Sequence, residues 1–187
     1  MAKKDVSHLG TIHGKKVLVR VDFNVPQDEH GNITNDRRIR GALPTIKALL
    51  DKGAAVIAMS HLGRPKGDPA KDAPFKMNKV AHRLGELLGK TVHKVDSVVG
   101  EDAKNAAAAL KAGEVLVLEN VRFHPGEQAG DTSFASELAS LGDIYVNDAF
   151  GTCHRKDSSM LGVPASMKEK PRVVGTLVAK ELAILDQ

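Results

Sequence analysis

The chain has 187 residues, a formal net charge of +4, one cysteine, no tryptophan, one tyrosine and five phenylalanines. That length suits one large domain or one and a fraction, enough to bury a core built from Val, Leu, Ile and Ala rather than from rings. The charge is mildly basic with no block of one sign, which suits small anionic ligands and falls short of the basic stripe and stacking aromatics of a nucleic-acid binder.

Cys153 has no cysteine to pair with inside the chain, which fits a reducing compartment. The opening MAKKDVSHLG has no apolar stretch behind its lysines, so no signal peptide is expected. No run approaches the ~18 apolar residues that a membrane-spanning helix needs.

In chain order, Val17–Phe23 is a strand candidate that runs into Asp22-Phe23-Asn24-Val25-Pro26. The spacing predicts a helix over Arg38–Leu50, with Ile39, Ala42, Ile46 and Leu49 on one face and Asn35 or Asp36 as its cap. Ala54–Met59 is an uninterrupted apolar run after the turn Asp51-Lys52-Gly53, the mark of a buried parallel strand. His61-Leu62-Gly63-Arg64-Pro65 follows at once, and Gly63–Pro74 is expected to be a long surface loop. A second helix is predicted over Met77–Leu88, with Gly89 just beyond its end. Strand Thr91–Val95, Ala-rich helix Gly100–Leu110, strand Val115–Leu118, helix Ser133–Leu141 and strands Ile144–Asn147 and Arg172–Gly175 complete the alternation. Leu177–Gln187 begins a last helix whose pattern stops without a cap, as if more chain were expected. Strands alternating with helices predict a parallel, doubly wound α/β sheet with right-handed crossovers.

In such a sheet, ligands bind outside the carboxyl ends of the strands. Those ends carry a recurring charge. Arg64 follows the second strand, Arg122 the fourth and Arg155 the fifth, while Arg38 stands in the first turn of the first helix. Guanidinium groups grip phosphate and carboxylate bidentately, so convergence of these four predicts a site for a multiply charged anion. Asp22 and Asn24 alternate along the first strand end and point the same way, where they could hold a hydroxyl. Other chemistries are disfavoured. No H-E-x-x-H and no paired cysteines argue for a metal. Gly85–Thr91 is one residue short of a phosphate loop and lies at a helix end, and no G-x-G-x-x-G occurs. Cys153 beside His154 lacks an oxyanion or acyl-enzyme motif around it. A non-catalytic module for phosphorylated metabolites remains the alternative to an enzyme.

VLVRVDFNVP (17–26), ITNDRRI (33–39), MSHLGRP (59–65), LENVRF (118–123) and YVNDAFGTCHR (145–155), with SSMLGV (158–163), together resemble the N-terminal domain of the phosphoglycerate kinase family, in order and at family spacing. The resemblance implies a three-layer α/β/α fold with a six-stranded Rossmann-like parallel sheet over residues 1–176, and the start of an interdomain helix at 177–187. It implies reversible phosphoryl transfer between 1,3-bisphosphoglycerate with ADP and 3-phosphoglycerate with ATP, a step of glycolysis in the cytoplasm. Arg64, Arg122, Arg155 and His61 would hold the 3-phosphate. Asp22 and Asn24 would meet the hydroxyl end, and Arg38 the reacting carboxylate. Phe23, Leu62 and Gly63 would contribute chiefly loop backbone. Mg-ATP or Mg-ADP would belong to a second domain whose glycine-rich loops are absent from this sequence, leaving no cofactor or metal here and no turnover by this chain alone. No nucleic acid and no membrane are expected as partners, and a monomer is expected. The chain departs from the family pattern at Cys153, at Lys156-Asp157 and within RFHPGEQAGD (122–131), but at none of the matched arginines.

Overall fold

The computed structural model describes residues 4–149, 157–167 and 170–175. Its elements are β1 (Lys16–Val21), α1 (Arg37–Asp51), β2 (Ala55–Met59), α2 (Pro69–Asp72), α3 (Asn78–Leu88), β3 (Val92–Lys94), α4 (Glu101–Ala109), β4 (Val115–Val117), α5 (Gly126–Ala129), α6 (Thr132–Ala139), β5 (Ile144–Asp148), α7 (Val163–Ser166) and β6 (Arg172–Val174). The helix expected over Leu177–Gln187, Arg155 and Cys153 lie outside the described residues.

The strands form one six-stranded parallel sheet in the order β3-β4-β2-β1-β5-β6. The chain moves one way from β1 through β2 to β3, then reverses to reach β4, β5 and β6. Right-handed crossovers require the connecting helices to change face when the direction reverses. They do. Val17, Val19, Val56 and Ala58 pack with Ile39 and Ile46 of α1 and Val80 and Leu84 of α3. Leu18, Ile57, Met59 and Leu116 pack with Ala103 of α4, Phe134 and Leu138 of α6 and Val163 of α7. The expected three-layer α/β/α architecture therefore follows from alternate residues of each strand serving opposite layers.

Several boundaries and caps differ from the sequence expectation. Gly63–Pro74 is not all loop: Asp68 caps the one-turn helix α2 by accepting from Ala70 N at 3.0 Å, and Pro69 opens it. At α1, Asn35 Oδ1 accepts from Arg37 N at 2.8 Å, whereas Asp36, the formal cap, makes no capping bond. Its carboxylate instead accepts from Arg40 Nε at 2.9 Å and from Arg83 Nη2 of α3 at 2.8 Å, tying two helices together. Gly89 does end α3 in the left-handed conformation, at φ 68°. The strands β1, β2, β4 and β5 occupy the middle of the sheet, and their pairing keeps their carboxyl ends at one level: Arg20 opposite Met59, Ala58 opposite Val117, Val21 opposite Asp148.

Candidate functional site

The loops leaving β1, β2 and β4 are bound to one another. Asn24 Oδ1 accepts from Gly63 N at 2.8 Å, joining the first loop to the second. Ser60 Oγ accepts from Phe23 N at 2.9 Å and donates to the carbonyl of His61 at 2.8 Å. Asn120, fully buried, donates through Nδ2 to the carbonyls of Leu62 at 2.7 Å and Phe75 at 3.0 Å, and its Oδ1 accepts from Arg122 N at 3.0 Å. Arg122 Nη1 then donates to the Gly63 carbonyl at 3.1 Å. Gly63 is required at this crossing. It adopts φ +63°, and a Cβ there would sit 2.4 Å from Cε1 of Phe75.

These bonds sort the expected site residues. Arg38 Nη1 donates to Asp22 Oδ1 at 3.2 Å and Oδ2 at 3.3 Å, and Asp22 also accepts from Asn24 N at 3.1 Å. Arg122 is half-buried against the Gly63 loop, while Arg64 is exposed and makes no hydrogen bond or ion pair with a described residue. Phe23 and Leu62 are fully buried core residues, and the Phe23 N–H and Leu62 carbonyl are engaged within the protein. His61 is almost wholly buried, with Nδ1 2.9 Å from Nη2 of Arg20. An open cleft of about 330 Å³ is lined by Arg122 with Pro65, Pro69, Asp72, Lys76 and Phe123.

Buried polar groups that the sequence reading missed support this edge. Arg20 is fully buried at the end of β1, where its Nε donates to Ser159 Oγ at 2.8 Å and its Nη1 to the Val21 carbonyl. Ser159 in turn donates to buried Glu127, from N at 2.6 Å and from Oγ at 2.5 Å, and accepts from the Tyr145 hydroxyl at 2.7 Å. Burial pulls the Arg20 pKa down, with Glu127 the main opposing charge, and burial pushes the Glu127 carboxyl up, with Arg20 opposing. Glu119 forms the other support. It accepts from Lys94 Nζ at 2.5 Å and from Met77 N at 2.9 Å, pinning the start of α3 beside Asn120. The available signal was a charged residue inside an otherwise apolar strand, at Arg20, and an acid directly before Asn120.

Arg38, Arg64 and Arg122 thus stand on hydrogen-bonded loops and a helix start at the carboxyl edge of a parallel sheet, a setting suited to an anion. The sequence model of the family described as Phosphoglycerate kinase matches residues 6–187. The chain belongs to the phosphoglycerate kinase family. The phosphoglycerate kinase of Rhodopirellula baltica is 58% identical over 185 residues, which cover 99% of this chain and 46% of that protein. That of Gloeobacter violaceus is 54% identical, over 99% of this chain and 45% of its own length. Among solved structures, the phosphoglycerate kinase of Coxiella burnetii superposes with a TM-score of 0.85 at 37% identity, covering 98% of this chain and 44% of that one. That of Pyrococcus horikoshii gives 0.83 at 34% identity, covering 95% and 44%. The chain thus spans a little under half the length of the phosphoglycerate kinases it matches. Among its described residues, no helix is long and apolar enough to cross a membrane.

Proposed function

We propose that this chain is the 3-phosphoglycerate-binding half of a phosphoglycerate kinase, an enzyme that moves a phosphoryl group reversibly between 1,3-bisphosphoglycerate with ADP and 3-phosphoglycerate with ATP. The observation that carries the reading is the interlocking of the β1, β2 and β4 loops through Asn24, Gly63, Asn120 and Arg122 in a chain of this family. Arg64, Arg122 and Arg155, with His61, hold the 3-phosphate. Asp22 and Asn24 meet the hydroxyl end, with Phe23, Leu62 and Gly63 shaping the loops. Arg38 faces the carboxylate that accepts or releases the phosphoryl group. Residues 1–176 form this domain, and Leu177–Gln187 begins the helix that leads to a second domain.

The residue types suit the reaction. Phosphoryl transfer calls for positioning and charge stabilisation more than for covalent catalysis, and the substrate carboxylate is itself the nucleophile. A fixed guanidinium at Arg38 stabilises charge on the transferring group without moving in the step. Magnesium, bound with the nucleotide by the second domain, would supply charge neutralisation at the phosphates. Two half-sites on two domains require closure to exclude water, so this chain alone turns nothing over, and it works as a cytoplasmic monomer.

Calorimetric titration of the chain with 3-phosphoglycerate tests the reading. A charge-assisted bond contributes roughly 1.5–3 kcal/mol, so Arg64→Ala should weaken binding about tenfold or more. Equal affinity for the two proteins, or no binding by either, rejects it.

A further inference from the structure

We propose that Arg20 is a positioning residue that holds His61 as the Nε2–H tautomer, so that the imidazole can meet an anion only as a hydrogen-bond donor. A guanidinium has five N–H groups and no lone pair to offer. Its Nη2 lies 2.9 Å from Nδ1 of His61, so Nδ1 must be the acceptor. A neutral imidazole carries one N–H, which is then on Nε2. An imidazolium would set an N–H against an N–H at that distance, so the contact disfavours the doubly protonated ring as well.

The guanidinium cannot easily swing away from this contact. Its Nε donates to Ser159 Oγ at 2.8 Å and its Nη1 to the Val21 carbonyl, the last residue of β1. Ser159 has a single hydroxyl proton. With Nε–H arriving at its oxygen, that proton goes on to Glu127 Oε2 at 2.5 Å. The Ser159 N–H binds the other Glu127 oxygen at 2.6 Å, and the Tyr145 hydroxyl holds the Ser159 carbonyl at 2.7 Å. Glu127 therefore orients Ser159, Ser159 orients Arg20, and Arg20 orients the His61 ring. Burial works against both charges, at Arg20 and at Glu127, and each charge offsets part of that cost for the other. A fully ionised phosphate or carboxylate presents only lone pairs to a neutral ring nitrogen, and the wrong tautomer would answer with another. The role of Arg20 is to exclude that state before the ligand arrives. The identity of the anion rests on the 3-phosphoglycerate reading; the tautomer does not.

The test is long-range proton–nitrogen NMR of the 187-residue chain labelled with ¹⁵N in histidine and arginine, without ligand and with inorganic phosphate or 3-phosphoglycerate. The expected pattern for His61 is a pyridine-like Nδ1 and a pyrrole-like Nε2 in every case, with a coupling through the hydrogen bond from Arg20 Nη2 to Nδ1. Arg20→Met should abolish the preference for Nε2–H and weaken 3-phosphoglycerate binding roughly tenfold. Arg20→Lys, which keeps a cationic donor, should restore the lone pair at Nδ1. A pyrrole-like Nδ1 in the wild type, absence of the coupling, or an unchanged His61 pattern in Arg20→Met overturns the proposal. The two wild-type readouts keep the test decisive if Arg20→Met does not fold. The expected His61 pattern without any binding of 3-phosphoglycerate would reject the substrate reading and leave the positioning role standing.

Discussion

Arg38 Nη1 donates to both carboxylate oxygens of Asp22, at 3.2 and 3.3 Å, across the gap between the first turn of α1 and the end of β1. The Arg38 side chain is half exposed, so the pair is screened and contributes at most about 1 kcal/mol to stability. The pair holds the guanidinium at the sheet edge. Asp22→Asn should therefore shift the urea unfolding free energy by less than about 1 kcal/mol. The same substitution should weaken 3-phosphoglycerate binding severalfold by calorimetry. A large loss of stability with unchanged affinity would show that Asp22 serves the fold alone.

Gly63→Ala should destabilise the chain by about 2–4 kcal/mol, combining a left-handed backbone with overpacking. The built Cβ meets the Phe75 ring at 2.4 Å, in a backbone with φ +63°. Adding Phe75→Ala to Gly63→Ala removes the steric part but not the backbone part. Denaturant titrations of the two single variants and the double variant form a cycle that separates them. Full additivity would mean that the ring gives way freely and the close approach is without consequence.

Asn120→Ala strips donors from the buried Leu62 carbonyl and the part-buried Phe75 carbonyl, and an acceptor from Arg122 N. Each unsatisfied buried group costs about 1–3 kcal/mol, so a loss of about 2–4 kcal/mol is expected after partial rescue by water. Asn120→Asp should be no better, because an ionised carboxylate cannot donate to either carbonyl. Thermal unfolding of both variants checks this. Recovery of wild-type stability by the aspartate would contradict the donor role.

Asp36 is one of the carboxylates that contribute to the acid side of the stability curve. Hydrogen bonds from Arg40, and then from Arg83, hold its carboxyl below the ordinary aspartate value of 3.8. Its folded pKa lies below its unfolded one, so its contribution is complete above the unfolded value and is lost as pH falls through the folded one. The stability difference between wild type and Asp36→Asn should be flat above about pH 5 and shrink below pH 4. Urea midpoints measured from pH 7 down to 3 decide it, and a difference that grows on acidification would reverse the sign argued here.

Much of the architecture is written in local patterns. Ala55–Met59 is apolar throughout because helices cover both faces of β2, and that requirement is visible residue by residue. Gly89 marks a helix end because few other residues take its conformation. The recurrence of arginine just past strand ends is equally local. Neighbour relations are not local. Periodicity says that β3 and β4 are strands but not that the chain passes β4's place and returns, since that order depends on which apolar faces match across the sheet. Asp36 reads as a cap, yet two arginines, one of them from α3, outcompete the helix N–H groups for its carboxylate. Arg20 and Arg64 look alike as letters. Only the assembled layers bury the first among Ser159, Glu127 and His61 and leave the second in solvent, because a side chain's environment is set by elements distant in sequence.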